Sequence, residues 1–477
     1  MLFVLELINA HLLYLFRNPV VEVMILKPFL LPQFSMYNYR IEITEVIVRK
    51  RIKNILVYCW SIFCLVLLPQ TAQSLTLDEA ISLAKETLPV YKASMIKTRS
   101  TEALYNASFG PYLPSLDAST VQNRIYTSAQ EFSSSSSDVT LSYTLFDGGN
   151  RKASRNIAGL NFDISKEDLR KSLLDLEFNT KTAFYTSIAK RDVLEERKIQ
   201  LRDAQKDYEV AEGRHKFGVA TLLDVLQASV RLEQSKFALV QAEGDFRKAV
   251  LDLSSLIGKP LDIQYEVEGS LDMKVKLPDR DTLSTVVLER PEIKQAEASL
   301  RIAENNKSIS LSTFYPLITA NASYEKSSGG LQAVAVGQAF IAEQKTVGIT
   351  ATWNIFELGK FFRAKSSEFE KGVSLENLND LKRQLLLDVN KAYEDLVTAS
   401  DNLEVARQQL KQAEQNYQQA FGEYKVGKAD ILSLVQAESL FAGAREQLIN
   451  SRLNLVLSGA SLERIAGIES LESLSSH

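Results

Sequence analysis

The chain repeats itself. Leu88-Pro89 with Lys92-Ala93 recurs as Arg290-Pro291 with Lys294-Gln295-Ala296, and Pro114-Ser115-Leu116 recurs as Pro316-Leu317-Ile318, both 202 residues on. Leu145-Phe146-Asp147-Gly148-Gly149 recurs as Ile355-Phe356-Glu357-Leu358-Gly359, with Phe146 and Phe356 210 apart. The spacing then holds at 209: His215-Lys216-Phe217-Gly218 against Tyr424-Lys425-Val426-Gly427, Leu226-Gln227-Ala228 against Val435-Gln436-Ala437, and Leu256-Ile257-Gly258 against Ile465-Ala466-Gly467. Six motifs in order at a nearly constant offset are not a chance pattern. A few residues inserted in one connecting loop account for the drift. Such a chain builds one supersecondary unit twice.

Each half reads helix, strand, strand, long helix, turn, long helix. Thr76 with Glu79 forms a capping box that opens a first helix, predicted to run to about Phe109, where Gly110-Pro111 stops it. Leu116, Ala118 and Thr120 then alternate with Asp117, Ser119 and Gln122 nearby. The five serines Ser133 to Ser137 read as a polar loop, and Val139, Leu141, Tyr143 and Leu145 alternate with Thr140, Ser142 and Thr144. In the second half Ile318, Ala320, Ala322 and Tyr324 alternate with polar neighbours. A Gly-containing loop follows, and Val347, Ile349, Ala351, Trp353 and Ile355 alternate again. Period-two alternation marks strands with one apolar face, at lengths that suit a membrane crossing of ~9–11 residues. Trp353 suits either an aromatic girdle or a core.

The long helices carry a seven-residue repeat. Leu378, Leu385, Ala392, Ala399, Ala406, Ala413 and Ala420 form one series; Leu396, Leu403, Leu410 and Tyr417 form the other. Interleaving by four and three is a coiled-coil seam. Leu194, Leu201 and Tyr208 beside Ala204 and Ala211 keep the register in the first half. No proline lies between Gly149 and Gly218, which predicts a rod on the order of 90–100 Å.

Composition excludes several function classes. Both cysteines, Cys59 and Cys64, lie in one apolar stretch near the N-terminus, and the three histidines are His11, His215 and His477. Without that stretch there is no thiol for a disulfide, a zinc cluster or a nucleophile, and imidazole is too scarce for acid–base or metal work. No phosphate-binding loop or nucleophile motif is present, so neither an enzyme nor a cofactor is expected. Net charge is −4. Residues 1–74 hold seven Lys/Arg and four Asp/Glu, so the remainder carries 48 basic against 55 acidic side chains. With no basic block, nucleic acid is not an expected partner.

Arg49, Lys50, Arg51 and Lys53 precede the apolar run Ile55 to Leu68, then Pro69 and the small-x-small site Ala72-Gln73-Ser74. That order describes a secretory signal peptide, with a retained membrane anchor as the competing reading. Cys64 follows Phe63, not the small residue a lipoprotein cleavage box needs, so no lipid anchor is expected. The expected organisation is an untranslated extension over 1–47, with translation starting at Val48, a signal peptide over 48–74 and a first repeat over 75–258. A linker over 259–280, a second repeat over 281–467 and a tail over 468–477 follow.

Four strands cannot close a barrel, and open edges are not tolerated in lipid. If the strands cross a membrane, several copies must join: two give eight strands and three give twelve. The expected fold is an α+β membrane protein, internally duplicated. In it a long α-helical coiled-coil barrel is continuous with a transmembrane β-barrel to which several protomers give four strands each. Gly148, Gly149 and Gly359 sit where strand turns into helix. The competing reading is a periplasmic or surface coiled-coil scaffold or adhesin without a pore.

With these features in place, Leu75 to Gly467 resembles the TolC family of outer-membrane efflux proteins. The resemblance rests on the duplicated layout, the proline before each strand pair, the Phe-Asp-Gly-Gly strand exit and the paired turns. Phe217-Gly218-Val219-Ala220-Thr221-Leu222-Leu223-Asp224-Val225 matches the family's hairpin tip, and Val426-Gly427-Lys428-Ala429-Asp430-Ile431-Leu432 is its partner. It implies a homotrimer in outer-membrane lipid, a twelve-stranded barrel and a helical tunnel in the periplasm. It also implies an exit duct for a tripartite efflux pump or type I secretion system. A periplasmic adaptor would dock at the tips (Phe217, Gly218, Val219, Val426, Gly427, Lys428) and link to an inner-membrane pump. Asp224 and Tyr424 fall at positions of an interhelical gate bond. The two aspartates that narrow the best-known member's pore fall at Ser433 and Gln436, and its gate arginine at Ala429, so the resemblance implies either a constriction at Asp430 or Asp224 or a less cation-selective pore.

Overall fold

A computed structural model describes residues 74–126, 131–260, 266–272, 277–329, 341–468 and 470–471. The extension over 1–47, the signal peptide with both cysteines up to residue 73, the loop over 330–340 and the tail beyond residue 471 lie outside the described residues.

The first half comprises β1 (Ser74–Leu75), α1 (Leu77–Thr87), α2 (Pro89–Ala107), a 3-10 turn (Gly110–Tyr112), β2 (Ser115–Tyr126), β3 (Glu131–Phe146), α3 (Asn150–Lys216) and α4 (Leu222–Leu256). After β4 (Glu266–Val267) the second half comprises α5 (Arg280–Val286), a 3-10 turn (Val287–Glu289) and α6 (Pro291–Ser312). Then come β5 (Leu317–Gly329), β6 (Ile341–Thr352), α7 (Leu358–Lys425) and α8 (Ile431–Ala466).

The capping box at α1 forms as read: Glu79 N donates to Thr76 Oγ1 at 3.4 Å and Thr76 N to Glu79 Oε2 at 3.1 Å. The helix does not run unbroken to Phe109. It stops at Leu88, extended at φ −64°, ψ 118°, because the ring of Pro89 forces the preceding residue out of the helical region. Arg290 before Pro291 is held likewise at φ −63°, ψ 149°.

The second correction concerns the serines. Ser133 to Ser137 lie in β3 rather than in a loop, and Ser134 to Ser137 pair with both β2 and β5. Two flanking strands satisfy the backbone there, and serine has nothing to bury that would pull it elsewhere.

The strand order is β2-β3-β5-β6, antiparallel throughout. Leu116, Leu141, Ala322 and Val347 stand in register across the four strands; Ala118, Val139, Tyr324 and Lys345 form the next row. Tyr143, Ala320 and Ile349 form the row on the other side. Residues directly opposite one another project from the same face, so this face is apolar. The opposite face carries Asp117, Thr140, Ser323 and Thr346, then Ser119, Asp138, Glu325 and Gln344. Past Lys345 the apolar face gives way to ion pairs, Lys326 with Glu343 at 3.2 Å and Arg124 with Glu131 at 3.3 Å. The apolar rows thus form a bounded band.

Helix α3 has 67 residues and α7 has 68, each on the order of 100 Å long. The seam predicted in α7 is the buried seam: Leu378, Leu385, Ala392, Leu396, Ala399, Leu403 and Ala406 all lie in one core with Leu448, Leu455 and Leu462 of α8. The corresponding core of the first half joins Phe184 and Ile188 of α3 to Leu253 of α4 and to Leu75 and Val267 of the short parallel pair β1–β4. Residues of the expected linker are therefore structural: Arg191 donates to Val267 O at 2.7 Å and Gly269 O at 3.1 Å. Ion pairs between α3 and α8 tie the halves: Lys181–Glu463, Arg464–Asp175, Arg197–Glu446 and Arg445–Glu196. No helix among the described residues is long and apolar enough to cross a membrane.

Candidate functional site

At the first strand-to-helix junction the chain turns on Gly148 at φ +65° and Gly149 at φ +91°. A Cβ on Gly148 would meet Ser312 O at 2.7 Å, so the residue is required both for its backbone angle and for its closeness to α6. Asp147 accepts from Gly149 N and Arg151 N, satisfying two free amides at the start of α3. Arg151, largely buried, donates to Asp147 Oδ2 at 3.0 Å and to the carbonyls of Thr144 (2.7 Å) and Pro111 (3.2 Å).

The second junction reaches the same end differently. Gly359 is not among the left-handed glycines and lies in the first turn of α7. The turn is made by extended Glu357 at φ −151°. Lys360 is buried and donates from Nζ to Thr313 O at 2.8 Å and Asn354 O at 2.9 Å. Each half thus fastens strand exit to helix with one cation, partly buried at Arg151 and buried at Lys360, on backbone carbonyls. Sequence reasoning passed over both cations, although they stand 209 residues apart, the offset of the helical repeat. Strand β6 ends at Thr352. Trp353 is 56% exposed, donating from Nε1 to Phe314 O at 3.0 Å. Phe356, Phe361 and Phe362, just past the end of β6, are exposed as well.

The helical hairpins end in matching turns. Gly218 (φ +74°) and Gly427 (φ +79°) are left-handed, and their amides donate to His215 O at 2.9 Å and Tyr424 O at 3.0 Å. Phe217 is 84% exposed, and Val219, Leu222, Leu223 and Val426 are exposed beside it. Lys428 N donates to Glu423 O at 2.8 Å. Asp224 closes a capping box with Thr221, accepting from Thr221 N at 2.8 Å. Asp430 caps α8, accepting from Ser433 N at 2.9 Å and Ser433 Oγ at 2.6 Å. The Ser433 hydroxyl foremost, then its amide, holds the Asp430 carboxyl below the usual range.

Tyr424 is buried, and its hydroxyl has no hydrogen-bond partner. Burial raises its pKa, and Arg214 opposes. The structure does not join Asp224 to Tyr424. It joins the two tips through Arg214, whose guanidinium lies 4.4 Å from the Tyr424 ring centroid and donates to Tyr424 O and, at 3.4 Å, to Val219 O.

Beneath the tips lies a polar layer the sequence reading did not single out. Asp207 of α3 and Glu438 of α8 are each 4% exposed, and Arg231 of α4 donates to Glu438 Oε2 at 3.1 Å. Its signal was present: Asp207 falls between Ala204 and Ala211 at seam spacing, and Glu438 falls between Leu434 and Phe441. Burial first, then Glu438, pushes the Asp207 carboxyl up to about 7. Burial also raises Glu438, against Arg231.

A sheet with one bounded apolar face and two free edges, fastened to two helices about 100 Å long that each fold back into a hairpin, defines a subunit of a β-barrel conduit with a helical extension. The chain belongs to the outer membrane efflux protein family, whose model matches residues 80–259 and 282–468. It is 22% identical to the pyoverdine export outer membrane protein OpmQ of Pseudomonas putida over 82% of this chain and 85% of that protein. It shares the fold of CusC, with a TM-score of 0.71 at 19% identity over 82% of this chain and 92% of that one. It also shares the fold of the Campylobacter jejuni CmeC outer membrane channel, at 0.71 and 18% over 82% and 85%. The protein is an outer-membrane efflux channel with a periplasmic helical extension, and nothing supports the pore-less scaffold or adhesin.

Proposed function

We propose that the chain is the exit duct of a tripartite efflux pump or type I secretion system, assembled as a homotrimer with a twelve-stranded barrel. The observation that carries this is the sheet β2-β3-β5-β6, apolar on one face and open at both edges. Three copies close it, each adding a pair of helical hairpins to a continuous tube. The duct contributes a path and no catalysis; energy comes from an inner-membrane pump through a periplasmic adaptor. The adaptor docks at Phe217, Gly218, Val219, Val426, Gly427 and Lys428, where the tips expose apolar side chains. Asp224, Tyr424 and Asp430 set the aperture, and opening moves one hairpin of each protomer against the other. In planar bilayers Asp224→Ala combined with Tyr424→Phe raises conductance; an unchanged value removes both from the gate.

We also infer that translation starts at Val48 and that cleavage follows Ser74, which leaves buried Leu75, paired with Val267, as the part of β1 that begins the mature chain. N-terminal sequencing of the exported protein tests this, and recovery of residues 1–47 contradicts it.

A further inference from the structure

We propose that the buried layer beneath the hairpin tips is a proton-binding site, and that a proton taken there by Asp207 holds the two hairpins of a protomer together and biases the conduit towards its closed form. The inference rests on the reading that the tips are the moving part.

The layer joins the parts that would have to separate. The ion pair Arg231–Glu438 runs from α4, in the first hairpin, to α8, in the second, with side chains 14% and 5% exposed. Asp207 stands ten residues before the tip residue Phe217, about 15 Å along the helix. Both Asp207 carboxylate oxygens, Glu438 Oε1 and Arg231 Nη2 are buried without a hydrogen-bond partner. Two carboxylates face one guanidinium, so an unneutralised negative charge sits in a nearly dry interior, where it is most costly. A proton is the smallest ligand that removes it.

Neighbouring groups do not supply the missing charge. On α3, Lys206 pairs with Asp203 at 3.6 Å. On α8, Arg445 is drawn off by Glu196 at 3.2 Å and lies 4.0 Å from the Phe441 ring centroid. On α7, the phenol of Tyr417 is pushed up by burial and then by Asp207, so it stays neutral. Tyr424 is likewise raised, chiefly by burial.

The sign follows from linkage. The Asp207 carboxyl is raised from 3.8 to about 7 with the hairpins together, and it falls back towards its ordinary value once water reaches it. The closed form therefore binds the proton more tightly. Its advantage is full below about pH 4, shrinks as pH rises towards 7, and is gone above that. Between about pH 5 and about pH 8 the closing equilibrium weakens roughly a hundredfold.

The test is single-channel recording of the full-length, purified protein in planar bilayers between pH 5 and pH 8, beside Asp207→Asn, which mimics the protonated group. The proposal expects opening frequency to climb with pH and level off near 7 in the unmodified protein, and to stay low throughout in the variant. Opening that ignores pH, or a variant that tracks the unmodified protein, overturns it while leaving the conduit reading intact. Absence of conductance at every pH contradicts the conduit itself. Should the variant fail to assemble, spin labels at Lys216→Cys and Lys425→Cys decide: a separation that grows with pH supports the proposal, and a constant one overturns it.

Discussion

The two halves arrive at one geometry with different side chains. The first junction needs two left-handed glycines, an aspartate on the free amides and an arginine on strand carbonyls. The second does without left-handed glycine and uses an extended glutamate and a buried lysine. At the tips the glycines agree, yet one helix opens with a Thr-Asp box and the other with an Asp-Ser cap. What the duplication repeats is a backbone path and a seam. The groups that satisfy the backbone are chosen locally in each half, which explains why motif matching located the junctions but not their fastenings.

The two junctions differ most at their glycines. Gly148→Ala forces a Cβ against Ser312 O on a left-handed backbone and is expected to destabilise by about 2–4 kcal/mol. Gly359→Ala, on a helical backbone with only ordinary contacts, is expected to be neutral or to stabilise by up to about 1 kcal/mol. Thermal loss of the oligomer band in detergent compares them; equal losses would contradict the difference between junctions.

The cations come next. Arg151→Leu leaves Asp147 and the carbonyls of Thr144, Leu145 and Pro111 short of a donor and is expected to cost about 3 kcal/mol. Lys360→Met, freeing two carbonyls, is expected to cost about 2 kcal/mol. The same assay reads both, and a tolerated double variant would remove the fastening role.

Smallest are the caps. Thr221→Ala is expected to cost about 1 kcal/mol, confined to the start of α4. The cap at Asp430 adds a pH signature. Because the folded carboxyl is held below its ordinary value, the stability it contributes is present above about pH 4 and is lost as pH falls through the lowered value. Amide exchange in the first turn of α8, taken as protection relative to the intrinsic rate at each pH, checks this: acid and Asp430→Ala should lower the protection alike, and protection that ignores both would contradict the cap.

Much of the fold was legible because periodicity is a backbone property. The Ala/Leu seam of α7 and the alternation around Leu141 and Val347 follow from geometry that every residue in the run reports. The misses have local causes. Ser133 to Ser137 look like a loop by composition, yet flanking strands supply their hydrogen bonds. Leu88 breaks a helix through the ring of its neighbour. Asp207 and Glu438 were masked by the expectation that seam positions are apolar; an acid at seam spacing was the clue. The contacts of Arg151 and Lys360 depend on carbonyls up to 47 residues distant, which no local pattern carries.

A conduit of this kind requires that the apolar rows of the four strands meet lipid and that other copies of the chain complete the cylinder. The mass of the mature protein, measured in mild detergent and again in plain buffer, tests it most directly. A three-copy particle in detergent, and precipitation when detergent is withdrawn, are expected. A stable, soluble single chain in plain buffer would contradict it.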